Sequence, residues 1–246
     1  MRRDLNLKSL LKKQGWFYSY ARMVYWKFMS LRAMLYGAGI EEKKWTSRNM
    51  MQARKSFENL GHPHRRFLLN EFKDMEPFSS VLEIGTGYGA NLYWIWKRYG
   101  NVRLSGIDMD SASIKEGEKF FAGKKMTNFN LTVGKADIIE RIPDKSYDII
   151  LTDAALIYID PGKIMKIIKE MFRVARKSLI FCEWHDYAGN DPRGAGFYYR
   201  GCWVRNYANL CKYYVPEEKI KIKKIPDCAW PEKNWQKLGY LIKVSI

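Results

Sequence analysis

The sequence has little cysteine and little histidine for its length. It contains 4 cysteines and 3 histidines in 246 residues, and no two cysteines are spaced as a C-x-x-C pair. Clustered cysteines and histidines are the usual ligands of zinc, and small disulfide-rich folds need many cysteines. We therefore expect no metal and a reducing, cytoplasmic compartment. The small number of histidines also shortens the list of residues for acid-base chemistry.

Acidic side chains are scarce relative to basic ones. The chain has 26 Asp and Glu against 43 Lys and Arg, which gives a formal net charge of +17 at pH 7. This excess indicates an anionic partner, whether nucleic acid, a lipid surface or a phosphorylated substrate, and does not choose among them. Apolar residues make up 47% of the chain, which excludes a disordered tail and allows one sizeable core.

Long uncharged apolar runs are lacking as well. A strongly aromatic stretch, residues 16–36, carries Arg22, Lys27 and Arg32. Each of these would cost about 2.5–3.5 kcal/mol at the centre of a bilayer. A membrane-spanning helix is therefore not expected there.

The distribution of charge divides the chain into a basic, aromatic N-terminal helical segment over residues 1–45 and one domain over 46–246. The segment has three open roles: packing on the domain, resting on an anionic membrane surface through residues 1–36, or contacting RNA. We expect the protein in the cytoplasm, with peripheral contact at the membrane if the second role applies.

Short apolar runs alternate with helical patterns from residue 80 onward. Strands that alternate with helices form βαβ units and a parallel sheet. The expected fold is α/β: a doubly wound, mostly parallel seven-stranded sheet with an antiparallel edge strand, in three α/β/α layers, plus N-terminal helices. The predicted strands are 80–85, 103–108, 128–134, 147–153 and 178–184, then an antiparallel pair at the edge, 219–225 and 238–246. The predicted helices are 89–99, 111–121 and 160–176.

The first predicted strand runs into a glycine-rich loop, Gly85-Thr86-Gly87-Tyr88-Gly89, and a helix opens behind it. Glycine permits a sharp turn and close approach of a ligand to the backbone, and a helix N-terminus offers free N–H groups. With Ala90 in the last place, the loop also fits the dinucleotide pattern G-x-G-x-x-A. A nicotinamide-dependent oxidoreductase therefore stays open at this point, although Glu83 and the G-x-G-x-G spacing are against it.

In this loop and the strands after it, the chain resembles the class I S-adenosylmethionine-dependent methyltransferases, over about residues 60–246. Their first motif, an acid followed by G-x-G-x-G, is matched by Glu83 and the glycine loop. An acid ends their second strand, as Asp108 does, and another follows their third, as Asp137 does. Their fourth strand runs into a short polar segment, matched from Asp153 onward. The resemblance implies a Rossmann-like methyltransferase with S-adenosyl-L-methionine as its cofactor.

The resemblance also implies a role for each acid. Asp108 is expected to accept both ribose hydroxyls of the cofactor in a charge-assisted pair, and Asp137 to accept from the adenine amino group. Glu83 is expected to orient the loop through backbone N–H groups and to place negative potential near the sulfonium. Asp153 and Ala154 are expected at the methionine end, where they border the acceptor pocket. The other expected cofactor contacts are Gly85, Thr86, Gly87, Asn91, Met109, Ala136 and Ile138.

His185, which follows the fifth predicted strand, is the first candidate for a general base. A neutral imidazole with an ordinary pKa of about 6.5 can accept a hydroxyl proton at physiological pH, although a structural role in the loop is equally compatible with the sequence. Glu183 and Tyr158 are the reserve candidates for catalysis. His62 and His64, ahead of the first strand, are expected to cap a helix or cover the cofactor.

The expected reaction is in-line methyl transfer, with O-methylation of a small-molecule, glycan or lipid-linked acceptor. The fourth strand ends in TDAAL, and it lacks the Asn/Asp-Pro-Pro-aromatic string of enzymes that methylate amino groups on bases. The basic composition keeps an RNA methyltransferase as an alternative. An NAD-binding oxidoreductase and a non-catalytic binding module of the same fold are the further alternatives.

Overall fold

The computed structural model describes residues 60–189, Gly194 and residues 196–246, together with Val24, Phe28 and Leu31. Those last three lie in a helix and have exposed side chains. The expected membrane or RNA contacts of the N-terminal segment and the domain boundary after residue 45 lie outside the described residues. Within the described part of the chain, every helix is too short or too polar to cross a membrane.

One seven-stranded sheet forms the centre of the fold, in the order β3-β2-β1-β4-β5-β9-β8. Its strands are β1 (Ser80–Ile84), β2 (Arg103–Asp108), β3 (Phe129–Val133), β4 (Tyr147–Asp153), β5 (Ala175–Trp184), β8 (Ile220–Lys224) and β9 (Gly239–Ser245). Strands β1 to β5 are parallel, whereas β9 is antiparallel to both β5 and β8. A separate hairpin is formed by β6 (Phe197–Tyr199) and β7 (Cys202–Val204). The expected sheet and its antiparallel pair at the edge are confirmed.

The helices of the described region are α1 (Pro63–Glu71), α2 (Ala90–Tyr99), α3 (Ser111–Gly123), α4 (Pro161–Val174), α5 (Tyr207–Cys211) and α6 (Lys233–Leu238). The three helices that the periodicity predicts correspond to α2, α3 and α4. The pattern does not predict α6, because one and a half turns are too few to show a helical period.

The core consists of layers on the two faces of the sheet and a third apolar cluster beside them. Successive side chains of a strand point to opposite faces, and β4 shows this directly. Ile150 packs with the side chains of α4, while Ile149 and Leu151 pack with those of α2 and α3. The third cluster joins the end of β5 to Trp230 and α6. Because the chain order reverses between β1 and β4, a crevice is expected where their carboxyl ends meet.

Candidate functional site

The glycine loop leaves β1 at the crevice with three residues in the left-handed region. Gly85, Gly87 and Gly89 have φ of +76°, +56° and +85°. A Cβ at Gly85 would overlap the Cβ of Ala155, so this position needs glycine for packing as well as for conformation. A Cβ at Gly87 would have no atom within 4 Å, so the backbone of Gly87 faces open space.

Asp108, at the end of β2, ties the loop to the neighbouring strand. Its Oδ2 accepts from the backbone N–H of Gly87 at 2.7 Å, and its Oδ1 accepts from that of Asp110 at 2.8 Å. Burial raises the pKa of this carboxyl, and the hydrogen bonds from Asp110 and Gly87 oppose that rise. Asp110 is the residue that caps α3, since its side chain accepts from the N–H of Ala112 at 3.2 Å. Asp108 is thus left half-buried and directed at the loop.

The residues expected around adenine follow β2 and β3, which are paired in parallel register. Met109, Ala136 and Ile138 are half-buried, whereas the side chain of Asp137 is exposed. A short 3-10 helix spans Ala136–Arg141, and Lys135 rather than Asp137 is its N-cap. Asp137 therefore does not cap this helix, and its side chain is accessible to a ligand.

Glu83 is buried in β1 and hydrogen-bonded through both of its oxygens. Oε2 accepts from the Thr86 hydroxyl at 2.7 Å and Oε1 from the Asn91 amide at 2.7 Å. The expectation that Glu83 orients the loop through backbone N–H groups is therefore corrected, because side chains make these contacts. Burial raises the pKa of Glu83 to about 8, although both hydrogen bonds act against the rise. A carboxyl with that pKa is mostly uncharged at neutral pH, so it is a weak source of negative potential.

Asn91, one of the expected cofactor contacts, connects the two sides of the crevice. Its amide group also donates to Asp153 Oδ2 at 2.8 Å, and its Oδ1 accepts from Arg65 Nη1 at 2.6 Å. A single side chain therefore joins β1, β4 and α1. Its position in the first turn of α2 is readable in the sequence, but these partners are not.

His64 reaches Asp153 from the first turn of α1. The helix begins at Pro63, and the His62 side chain caps it by accepting from the N–H of His64 at 3.4 Å. His64 Nε2 lies 2.8 Å from Asp153 Oδ2, and the exposed fractions of the two side chains are only 6% and 7%. His64 Nδ1 also contacts His62 Nδ1. The expected capping role of this histidine pair is present, together with an ion-pair contact that the sequence does not indicate.

Asp153 differs from Glu83 in its charge. Burial would raise its pKa, but His64, Arg65 and the amide of Asn91 outweigh that effect and lower it to about 2. Its Oδ1 is buried and has no hydrogen bond of good geometry among the described residues. The buried Cys182 thiol is its neighbour, and burial together with the nearby Asp153 raises the pKa of that thiol. The carboxylate of Asp153 is thus ionised, with Oδ2 hydrogen-bonded and Oδ1 buried.

Two tryptophans cover the histidine pair. The His64 ring stacks on Trp230 with centroids 4.1 Å apart, and Trp230 stacks on Trp235 at 3.5 Å. Both tryptophans lie between β8 and β9, far along the chain from α1. Sequence reasoning misses them, since an aromatic residue in a long connection carries no periodic signal of what it covers.

Glu183, a reserve candidate for catalysis, has a structural position. It is fully buried, and it accepts from three consecutive backbone N–H groups at 3.0–3.2 Å, those of Ala155, Leu156 and Ile157. Burial raises its pKa to about 7. These bonds anchor the loop after β4, where Ala154 has a φ of +54°. The expectation of a catalytic role for Glu183 is therefore corrected: its oxygens accept from the backbone and anchor the loop after β4. Tyr158, at the end of this loop, packs against the third apolar cluster.

His185 lies apart from the contacts described so far. It is 2% exposed, its Nδ1 accepts from the N–H of Tyr207 at 3.2 Å, and its ring packs near Tyr207 and Tyr240. Burial lowers its pKa to about 4. Its Nε2 has no hydrogen-bond partner in the described part of the chain. The structure does not bring His185 into contact with Asp153, so its role as a base stays a prediction.

Comparison with known proteins gives one family match. Residues 81–178 match a family described as "Methyltransferase domain". The tRNA N(3)-cytidine methyltransferase of Homo sapiens is 21% identical over 178 residues, which cover 68% of this chain and 57% of that protein. The chain therefore spans little more than half the length of this curated relative.

Solved structures share the fold. The Haemonchus contortus phosphoethanolamine N-methyltransferase 1, in complex with phosphoethanolamine and S-adenosylhomocysteine, matches with a TM-score of 0.57, 16% identity and coverage of 85% of this chain and 50% of its own. The Synechocystis magnesium protoporphyrin IX methyltransferase with bound S-adenosylmethionine matches with a TM-score of 0.53, 11% identity and coverage of 78% and 83%. At these identities the likeness shows the fold alone.

Proposed function

We propose that this chain is a class I S-adenosylmethionine-dependent methyltransferase, on the basis of its fold and its matched domain. It transfers a methyl group from S-adenosyl-L-methionine to a nucleophilic acceptor. The observation that carries this proposal is the glycine loop at the crevice, fastened by Asp108 and open above Gly87.

The residues of the crevice fit this cofactor in three respects. The open space at Gly87 admits a ligand against the backbone. Asp108 keeps lone pairs for ribose hydroxyls beside its two backbone bonds, since a carboxylate has about four acceptor sites. The unpartnered Oδ1 of Asp153 fits a cationic group, such as the cofactor's ammonium or sulfonium. The accessible Asp137, with Met109, Ala136 and Ile138, is proposed to contact the adenine ring.

When bound, S-adenosyl-L-methionine would supply a methyl carbon activated by its sulfonium. The acceptor's lone pair would form the new bond to that carbon, and the electron pair of the broken carbon–sulfur bond would return to sulfur. The chain's own residues have to align the acceptor and exclude water, and alignment alone can contribute about 7–11 kcal/mol. The Trp230–Trp235 stack and the loop anchored by Glu183 supply walls for this purpose. A hydroxyl acceptor must also lose a proton, for which His185 remains the candidate from sequence.

The finer proposal for the acceptor is a hydroxyl group on a small molecule, a glycan or a lipid-linked compound. It is supported by the partly buried aromatic side chains that border the third apolar cluster, because flat apolar groups pack on aromatic rings,. These side chains are Phe67, Tyr158, Phe197 and Tyr199. We propose RNA as the second candidate acceptor. It is supported by the net charge of +17 and by the likeness to a tRNA methyltransferase.

Calorimetry with S-adenosylhomocysteine and, separately, with NAD tests the cofactor. We expect binding of the first and none of the second, and the reverse result would contradict the proposal. Transfer of a labelled methyl group to total tRNA, or to glycan and lipid fractions, then separates the two acceptor classes. RNA binding should in addition weaken linearly with the logarithm of salt concentration.

A further inference from the structure

Two buried carboxyl groups lie on either side of the Asn91 amide, and their hydrogen bonding differs. Glu83 has both oxygens engaged, by Thr86 and by Asn91. Asp153 has Oδ2 engaged by His64 and Asn91, whereas Oδ1 is buried without a partner among the described residues. Leaving a buried carboxylate oxygen without a donor is costly. The geometry therefore indicates that a positively charged ligand group lies against Asp153 and not against Glu83.

The histidine beside Asp153 is fixed in place. His64 is held by the capping turn of α1 on one side and by the stacked ring of Trp230 on the other. A histidine so restrained keeps its Nε2 directed at Oδ2, so Oδ1 is the carboxylate oxygen that remains for another group. Glu83 has no cationic group within hydrogen-bonding distance of its oxygens in the described region.

We propose that Asp153 is the counter-ion of the positive charge at the methyl-transfer point and that His64 is the positioning residue that keeps its Oδ1 directed there. This inference rests on the proposed function. The sequence motif assigns the negative charge near the sulfonium to Glu83, whereas this inference assigns it to Asp153, on the other side of the Asn91 amide.

The charge in the reaction explains why such an anion is useful. Positive charge is on the sulfonium before transfer and on the acceptor atom after it, because the acceptor contributes the lone pair of the new bond. A fixed carboxylate beside this path attracts the charge throughout, and fixed charges in a water-poor site act more strongly than in water. An uncharged Glu83 would instead hold the glycine loop in place through its hydrogen bonds with Thr86 and Asn91.

The inference is testable with two cofactor analogues and without knowledge of the acceptor. S-adenosylhomocysteine has a neutral sulfur, whereas sinefungin carries a C–NH3⁺ group in place of S⁺–CH3. For the wild-type protein, calorimetry at pH 7 should show sinefungin binding at least about tenfold more tightly, as expected for a charge-assisted hydrogen bond. Asp153→Asn should remove this preference and change the affinity for S-adenosylhomocysteine by less than about threefold. Glu83→Gln, the matched control, should retain the preference.

The outcomes separate this inference from the proposed function. If neither analogue binds to the wild-type protein, the proposed function fails. If the wild-type protein binds both analogues equally, or Asp153→Asn weakens both equally, the counter-ion role is overturned; the second result would place Asp153 on the methionine ammonium group instead. Loss of the preference in Glu83→Gln alone would return the charge to Glu83.

His64 provides a second measurement, which also decides the matter if Asp153→Asn does not fold. His64→Leu should lose most of the preference for sinefungin, because Asp153 is then no longer oriented. His64→Gln should restore a measurable part of it, since an amide N–H can still donate to Oδ2. Equal preference in the wild-type protein and His64→Leu would exclude the positioning role of His64.

Discussion

The two sides of the crevice are built from different kinds of contact. On the β2 side, Asp108 reaches Gly87, in the loop after the neighbouring parallel strand, and Asp110, two residues further along the chain. On the β4 side, Asp153 is held by His64 from a helix that precedes the sheet. That histidine is in turn covered by Trp230, from the connection between the last two strands. The loop side thus depends on local spacing, whereas the covered side depends on packing between distant segments.

Replacing Trp230 tests the covered side with the largest expected effect. Trp230 is 8% exposed and lies between His64 and Trp235. Trp230→Ala should lower the free energy of unfolding by about 3–5 kcal/mol, the usual cost of removing a large buried aromatic side chain. Denaturant unfolding measures this change. Tyr187→Ala, at a residue 68% exposed, should change stability by less than about 0.5 kcal/mol. Similar losses in both variants would show that Trp230 covers nothing.

Replacing Asp108 tests the loop side through ligand binding. Asp108→Ala removes the acceptor for the N–H groups of Gly87 and Asp110 and the proposed ribose contact. We expect the affinity for S-adenosylhomocysteine to fall by at least about 100-fold, as for the loss of charge-assisted hydrogen bonds. Asp137→Ala, at an exposed residue, should lower the affinity for S-adenosylhomocysteine by about tenfold or less. Unchanged binding in Asp108→Ala would contradict the proposed cofactor site.

This difference in contacts also explains how much the sequence could predict. The order of strands and helices and the placement of Asp108 follow from alternation and from the glycine motif, because both act over short distances. The buried network of Glu83, Asn91 and Asp153 could not be predicted, since its hydrogen bonds depend on side-chain directions at the ends of separate elements. His64 and Trp230 meet only after the whole sheet has formed, and no local pattern specifies that contact.

The pH dependence of stability distinguishes the two carboxyl groups. Because the pKa of Glu83 is raised to about 8, the folded state binds its proton more tightly. The contribution of Glu83 to the free energy of unfolding is therefore complete below about pH 4.5. It is lost as the pH rises toward 8, at up to about 1.4 kcal/mol per pH unit. Asp153, with its pKa lowered to about 2, loses its contribution only as the pH falls below about 4.

Urea unfolding at several pH values between 4.5 and 8 measures this slope. Glu83→Gln should flatten it, and Glu183→Gln should flatten it over a narrower range because the pKa of Glu183 is raised to about 7. Asp153→Asn should change the slope in this range less than Glu83→Gln does, because burial, and only to a smaller extent the charge of Asp153, raises the pKa values of Glu83 and Glu183. If Asp153→Asn flattens the curve and Glu83→Gln does not, the assignment of charge between the two sides is reversed.

His185 is expected to show the smallest effect on cofactor binding, because its contacts are with neither side of the crevice. Its Nδ1 accepts from the N–H of Tyr207, and its ring lies among tyrosines. Asn at this position can still accept that hydrogen bond through its side-chain oxygen. His185→Asn should therefore bind S-adenosylhomocysteine within about twofold of the wild-type affinity, measured by calorimetry. A loss of affinity of tenfold or more would mean that His185 supports the cofactor site. Its role could then not be limited to that of a base acting on the acceptor.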